Sequence, residues 1–246
     1  MLLYVSSELY VLEVPHVLVL LLIVAILIIY TIDHLMDARR VSTPTMARHL
    51  FHKNNQRVLM YYLIALALIG CVAVFFVDFK MVVIGTGVSI CSGIYLLVNR
   101  RLANRGSKEL VVAMVYASAM FAYPASETTL KIIDFVYWFQ LTILALSNLM
   151  IISYFEHERD SRDKTTSIAH VIGVQTTRLL SIFLLSLLSA LSLFIRAQGE
   201  GSTYHVFVLL ASLVLFCVLL FRSFFEVQER YRFTCDAIFL IPIFFL

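Results

Sequence analysis

Two clusters of acidic residues are the chemically most informative feature of the sequence. In the first cluster, Asp33 and Asp37 are four residues apart. In the second, Glu156, Asp160 and Asp163 follow one another at spacings of four and three. On an α-helix these spacings place the side chains on one face. Each cluster therefore predicts a helix face that carries adjacent carboxylates.

Adjacent carboxylates repel one another, but a hard divalent cation reverses that preference. Proteins bind Mg²⁺ through one or two carboxylates together with phosphate oxygens and water. Two such faces brought together would hold Mg²⁺ ions that bridge a diphosphate, and basic side chains would neutralise the remaining phosphate charge. Basic residues lie beside or within both clusters, at Arg39, Arg40, Arg159, Arg162 and Lys164, and between them in the sequence at Arg100 and Arg101. The alternative is that all of these are ordinary solvated charges at a membrane surface.

The rest of the sequence predicts that membrane-spanning helices position the two clusters. Hydrophobic residues make up 61% of the 246 residues and charged residues 14%, which is more apolar surface than a soluble core of this length buries. Eight apolar segments, A to H, approach the length of about 20 residues that a spanning helix needs. They cover 14–32, 57–77, 81–98, 109–124, 132–155, 177–196, 204–224 and 233–246. We therefore expect an all-α polytopic transmembrane bundle of about eight helices, forming one domain over 1–246 and surrounded by membrane lipid.

The basic residues predict how this bundle is oriented. Sixteen of the 19 Lys and Arg residues lie in or beside the loops A–B, C–D, E–F and G–H. Under the positive-inside rule these loops face the cytoplasm. The acidic clusters follow segments A and E, so we expect both on the cytoplasmic side of an integral protein of the plasma membrane.

Taken together, the motifs and the helix order resemble the UbiA superfamily of membrane prenyltransferases. That family has nine helices, with the motif NDxxDxxxD after the second and DxxxD after the sixth. Asp33 and Asp37 resemble the first motif, and Glu156 to Asp160, four helices later, is similar to the second. The stretch from Tyr95 to Met120 resembles the family's YSxxxKR segment and the helix after it. The resemblance covers nearly the whole chain, with no counterpart of the family's first helix.

The resemblance implies a role for each of these residues. Asp33, Asp37, Glu156 and Asp160 would be catalytic and would hold Mg²⁺. The residues implied to bind the substrate are Tyr95, Arg100, Lys108, Arg159 and Lys164. The implied activity is a transferase that moves an isoprenyl group from a prenyl diphosphate to an aromatic or otherwise lipophilic acceptor. No nucleic-acid partner is expected.

Several positions depart from the family pattern. The Asn and Asp that open the first motif fall on Ile29 and Tyr30, and the Asn before the second motif falls on Ile152. The lysine of YSxxxKR falls on Asn99. The main alternative is therefore a non-catalytic protein of the same fold that binds lipid or a protein partner.

Two other classes of protein have less support. A histidine-ligated di-iron enzyme would need several histidine motifs, whereas the chain has a single HxxH, at His49 and His52. A transporter or channel would need ionisable residues spread through the bundle. Asp236 lies in segment H, where we expect it to pair with Arg230 or Arg232.

Overall fold

A computed structural model of the chain describes residues 13–40, 47–163, 165–199 and 202–245, in which all regular secondary structure is helical. The α-helices are α1 (His16–Arg40), α2 (Ala47–Asn54), α3 (Gln56–Val74), α4 (Phe79–Asn104), α5 (Lys108–Glu127), α6 (Ile132–Asp163), α7 (Ile168–Ile172), α8 (Val174–Ala197), α9 (Ser202–Leu220), α10 (Arg222–Glu226) and α11 (Arg230–Ala237). In this part of the chain, seven helices are long and apolar enough to cross a membrane: α1, α3, α4, α5, α6, α8 and α9. The predicted all-α transmembrane bundle is confirmed.

Segment H differs from its prediction. Its described part consists of the end of α11 and a 3₁₀ helix, Ile238–Phe245. Pro242 falls within this 3₁₀ stretch, and a proline has no N–H with which to continue an α-helical ladder. The chain therefore folds there as a short α-helix followed by a 3₁₀ helix, and it does not form an eighth long α-helix over the described residues.

A second proline has a smaller effect than its position predicts. Pro124 is expected to end segment D, yet α5 continues to Glu127. Proline removes its own N–H but keeps its carbonyl as an acceptor. The backbone N–H of Thr128 donates to the Pro124 carbonyl oxygen at 2.9 Å, and this bond completes the last turn.

The two helices with the acidic clusters extend beyond their apolar segments. Both clusters consequently lie on continuous helix: Asp33 and Asp37 in α1, and Glu156, Glu158, Asp160 and Asp163 in α6. In α6, the three carboxylates on the predicted face are 4–6% exposed, whereas Glu158 is exposed. The second cluster therefore faces into the bundle.

The main core forms around α6, which packs against α5, α8, α9 and α11. Leu144 and Ile151 of α6 are fully buried there, as is Phe207 of α9. The hydroxyl of Tyr204 donates to the carbonyl oxygen of Tyr137 at 2.7 Å and joins α9 to α6. This packing fixes the helix that carries the second acidic cluster.

Candidate functional site

A cavity of about 470 Å³ lies among α1, α4, α5, α6 and α11, within the range of small-molecule sites. Six ionisable side chains gather at one end: Asp33, Lys108, Glu109, Glu156, Asp160 and Arg232. Asp236 lies one turn beyond Arg232 on α11, near Tyr116 of α5. Away from that end the lining is mainly apolar, with residues such as Leu22, Ile29, Val112, Met120 and Leu149. The cavity therefore has the form of a site for an amphiphile, and both acidic clusters border it.

Donors from two other helices hold the Asp33 carboxylate of α1. The Tyr95 hydroxyl donates to Oδ1 at 3.3 Å, and the Asn99 side-chain amide donates to the same oxygen at 2.5 Å. Because Tyr95 and Asn99 are four residues apart on α4, they face α1 together. The ammonium nitrogen of Lys108, at the start of α5, lies 3.4 Å from Oδ2. Asp33 thus joins α1, α4 and α5.

Glu156 of α6 is 4% exposed and has its partners on α11. Arg232 forms an ion pair with Oε1, and the Tyr231 hydroxyl donates to the same oxygen at 3.2 Å. A buried carboxylate without a partner is costly, so these contacts stabilise its charged form. Asp236, also on α11, borders the cavity with Arg232. The expected ion pair of Asp236 with Arg230 or Arg232 does not form among the described residues, because Arg232 pairs with Glu156.

One turn further along α6, Asp160 contacts the segment that follows its own helix. The Thr165 hydroxyl donates to Oδ1 at 3.0 Å, and the backbone N–H of Thr165 donates to the Asp160 carbonyl oxygen at 2.9 Å. Thr165, Thr166 and Ser167 line the cavity beside it. Residues 165–167, which follow the second acidic cluster, therefore form part of the cavity wall.

Glu109 is a cavity residue that the sequence analysis did not identify. It lies in the first turn of α5 and is 7% exposed. Its Oε1 accepts a hydrogen bond from the Ile168 backbone N–H at 2.9 Å, whereas its buried Oε2 has no hydrogen-bond partner among the described residues. In the sequence, its position beside Lys108 at the start of an apolar segment was the one indication of a role.

The structure separates the predicted substrate-binding residues. Tyr95 and Lys108 line the cavity, together with Asp33, Glu156 and Asp160. Arg159 is not among the lining residues, and it forms an ion pair with Glu229. Asp37 and Arg100 belong to α1 and α4, but their side chains lie outside the described structure, as does Lys164.

The carboxylates provide oxygen ligands of the kind that Mg²⁺ prefers. The cavity is lined by five carboxyl groups and two basic side chains, so its acidic groups outnumber its basic ones. Among the described side chains, no group of three or more His, Cys, Asp or Glu could hold a metal ion. That set does not include Asp37, which follows Asp33 by one helical turn. The described side chains therefore supply oxygen donors but no formed metal site, and Lys108 and Arg232 are the counter-charges of Asp33 and Glu156.

No known relative identifies the site. The chain matches no protein-family model, no curated protein and no solved structure. Its function must therefore follow from the chemistry of the cavity.

A histidine pair lies beside the second cluster. The rings of His157 and His170 have their centroids 4.2 Å apart. Ser161 and Ser167 hold the His170 ring, with their hydroxyl oxygens 2.8 Å from Nε2 and 3.1 Å from Nδ1. Burial, and then the neighbouring His157, lower the pKa of His170, while Asp160 acts in the opposite direction. Burial and His157 therefore favour the neutral form of His170.

Proposed function

We propose that the protein is a membrane prenyltransferase of the UbiA type, which moves an isoprenyl group from a prenyl diphosphate to an aromatic or otherwise lipophilic acceptor. The single observation that carries this proposal is the shared cavity. Asp33 of the first cluster borders its polar end together with Glu156 and Asp160 of the second, and apolar side chains line the remainder. A prenyl diphosphate has the matching form, with a charged head and a hydrocarbon tail.

The charge of the polar end favours a diphosphate that is bound together with metal. A free diphosphate would meet the surplus of carboxylates and be repelled. Mg²⁺ that enters with the diphosphate and takes ligands from its oxygens as well as from the carboxylates of Asp33, Glu156 and Asp160 would supply the positive charge that stabilises a departing diphosphate. Asp37 follows Asp33 by one helical turn and would be a further ligand. Lys108 and Arg232 would contact phosphate oxygens, and Tyr95 would orient the Asp33 carboxylate through its hydroxyl.

The remaining chemistry falls to the apolar wall and to Glu109. The donor C–O bond breaks with both electrons leaving on the diphosphate, and the apolar lining keeps water away from the allylic cation. The acceptor forms the new bond to that cation and releases a proton. We assign this proton to Glu109, whose Oε2 has no hydrogen-bond partner among the described residues while Oε1 accepts the Ile168 N–H.

We place the polar end on the cytoplasmic side of the plasma membrane. The positive-inside distribution of the loops supports this orientation. The Asp33–Lys108 pair joins the end of α1 to the start of α5, and the Glu156–Arg232 pair joins the last turns of α6 to the start of α11. The four basic loops adjoin these helix ends, so the pairs support a common side for the loops.

Ligand-dependent thermal stability of the purified protein in detergent tests the proposal. Farnesyl diphosphate with Mg²⁺, at 100 times its Kd, is expected to stabilise the fold by about 2.7 kcal/mol. Asp33→Asn should remove this shift. Asp78→Asn, an exposed carboxylate just before α4, should keep it. The proposal fails if no prenyl diphosphate produces a Mg²⁺-dependent shift, or if the shift persists in Asp33→Asn.

A second candidate is a non-catalytic protein of the same fold that binds a lipid. The Asp33–Lys108 and Glu156–Arg232 pairs favour it, because both carboxylates have cationic partners without any metal. It predicts stabilisation by farnesol as strong as that by farnesyl diphosphate, no effect of Mg²⁺ and no transfer product.

A further inference from the structure

We infer that the cavity accepts a tail of at most about three to four isoprene units, since an extended chain of that length spans its whole depth, and that Tyr123 and Leu18 set the limit. The chemical nature of the tail rests on the proposed function. The depth of the cavity is a property of the fold and can be tested separately.

Three helices define the same depth. On each of them, the lining residues begin at the polar end and continue for eleven or twelve positions into the bundle. At 1.5 Å per residue this is about 17 Å of helix. The outermost and innermost lining residues are His34 and Leu22 on α1, Lys108 and Met120 on α5, and Asp160 and Leu149 on α6.

This depth corresponds to a short prenyl chain. An extended chain of single bonds advances about 1.2 Å per bond, so the four main-chain bonds of an isoprene unit cover about 4.8 Å. A cavity of about 17 Å therefore holds at most about three to four units, and a headgroup at the polar end shortens the room for the tail. An octaprenyl tail would need roughly 38 Å when extended and would not fit.

Packed side chains close the inner end of the cavity. Leu18 lies one helical turn beyond Leu22 on α1, and Tyr123 lies one turn beyond Ala119 on α5. Both are buried, at 5% and 9% exposure. They belong to one apolar cluster, against which the cavity residue Leu22 also packs. The innermost part of the lining is therefore continuous with a filled core.

The Tyr123 ring is fixed in this position from both sides. Its hydroxyl donates to the Glu13 carbonyl oxygen at 2.8 Å, just before α1 begins. The cluster also includes Val14, and Val77 and Met81 pack around it. Because the ring has a hydrogen bond at its outer end and apolar neighbours around it, it forms a rigid floor that a longer tail would have to displace.

The test compares tail lengths on the full chain in detergent. Thermal shifts are measured with farnesyl, geranylgeranyl and octaprenyl diphosphates in Mg²⁺, and with farnesol and octaprenol without metal. The wild type should bind the octaprenyl ligands at least tenfold more weakly than the short ones. Tyr123→Ala should reduce that difference by at least tenfold. Tyr123→Phe, which keeps the ring and loses the hydroxyl, should keep the wild-type ranking.

Leu18→Ala provides a second opening of the floor if Tyr123→Ala does not fold. Equal binding of short and long tails by the wild type would overturn the inference, because the tail would then leave the cavity sideways. A Mg²⁺-dependent thermal shift that is equal for short and long diphosphates would overturn the inferred limit on tail length. It would leave the proposed function standing. If farnesol binds more tightly than octaprenol, while diphosphate and Mg²⁺ have no effect, the inferred limit on tail length stands. The prenyltransferase proposal is then overturned.

Discussion

The ammonium nitrogen of Lys108 lies 3.4 Å from Oδ2 of Asp33, in a pair that joins α5 to α1. The resemblance to prenyltransferases implies a phosphate contact for Lys108 and a metal contact for Asp33, and here each residue neutralises the other. Their side chains are 21% and 17% exposed, so water screens the pair less than it screens a surface ion pair. A ligand that brings both metal and phosphate would give each of them a new partner.

Removal of the Lys108 charge should therefore lower the free energy of unfolding by an amount that depends on metal. Lys108→Met is expected to lower the free energy of unfolding by about 1–3 kcal/mol in EDTA, between the ranges for exposed and buried pairs. Mg²⁺ should restore part of this loss by taking over the charge of Asp33. Unfolding in detergent with EDTA or Mg²⁺ measures both effects. Lys131→Met, at an exposed position, is the control and should change neither value. An equal loss in Lys108→Met with and without Mg²⁺ would show that the metal does not replace Lys108 as the partner of Asp33.

The Glu156–Arg232 pair should be important for stability. Arg232→Gln leaves the carboxylate of Glu156 buried without its cation, and we expect a loss of about 3 kcal/mol. The double variant Arg232→Gln/Glu156→Gln should recover most of that loss, because no buried charge remains. Chemical unfolding of the single and double variants gives the coupling energy. Arg162→Gln, at an exposed site of α6, is the control and should cost less than about 0.5 kcal/mol. Additive losses in the double variant would argue against the pair.

Glu109→Gln should separate donor binding from transfer. Glutamine keeps an oxygen that accepts the Ile168 N–H bond, so the stabilisation by farnesyl diphosphate and Mg²⁺ should remain. Transfer should fall by about 10²-fold or more, because the acceptor proton loses its base. Mass spectrometry of the prenylated product, with the phenolic acceptor that the wild type uses best, measures this. Glu127→Gln, at the exposed end of α5, should behave as the wild type. Unchanged transfer in Glu109→Gln would exclude the proton-accepting role.

The histidine pair predicts an acid-sensitive fold. Burial and His157 lower the pKa of His170, so the unfolded state binds its proton more readily than the folded state. The contribution of His170 to the free energy of unfolding therefore has its full value above the ordinary histidine pKa of about 6.5. It decreases as the pH falls below that pKa.

Thermal midpoints measured between pH 8 and pH 5 test this dependence. The midpoint of His170→Gln should fall less steeply with acid than that of the wild type. His16→Gln, at the exposed start of α1, should retain the wild-type slope. Parallel slopes for His170→Gln and the wild type would show that this ring does not cause the acid sensitivity.

Most of the fold follows from local patterns. The seven long helices coincide with seven of the eight apolar segments, and α6 continues through Glu156 and Asp160 as their spacing predicted. Hydropathy and helical periodicity depend on residues within a few turns, and the sequence states them directly. The effects of Pro124 and Pro242 were harder to predict, because the packing around a helix end determines whether the helix continues past a proline.

The candidate site could be predicted only in part. The sequence identified Asp33, Glu156 and Asp160 through their spacing, and the cavity brings these three together. Asn99 counted as a departure from the family pattern, yet its amide donates to Asp33. Glu109 had only its position beside Lys108, at the start of an apolar segment, to mark it. A single polar residue at a helix end is ambiguous until the facing helix is known.

The sequence by itself determined the membrane environment, the helices and the faces that carry carboxylates, since each is a property of neighbouring residues. The tertiary structure alone decided which partners those carboxylates have: Lys108 for Asp33, Arg232 for Glu156 and Glu229 for Arg159. It also placed Tyr123 across the inner end of the cavity. These contacts join residues that lie far apart along the chain, and they form only when helix packing brings the helix ends together.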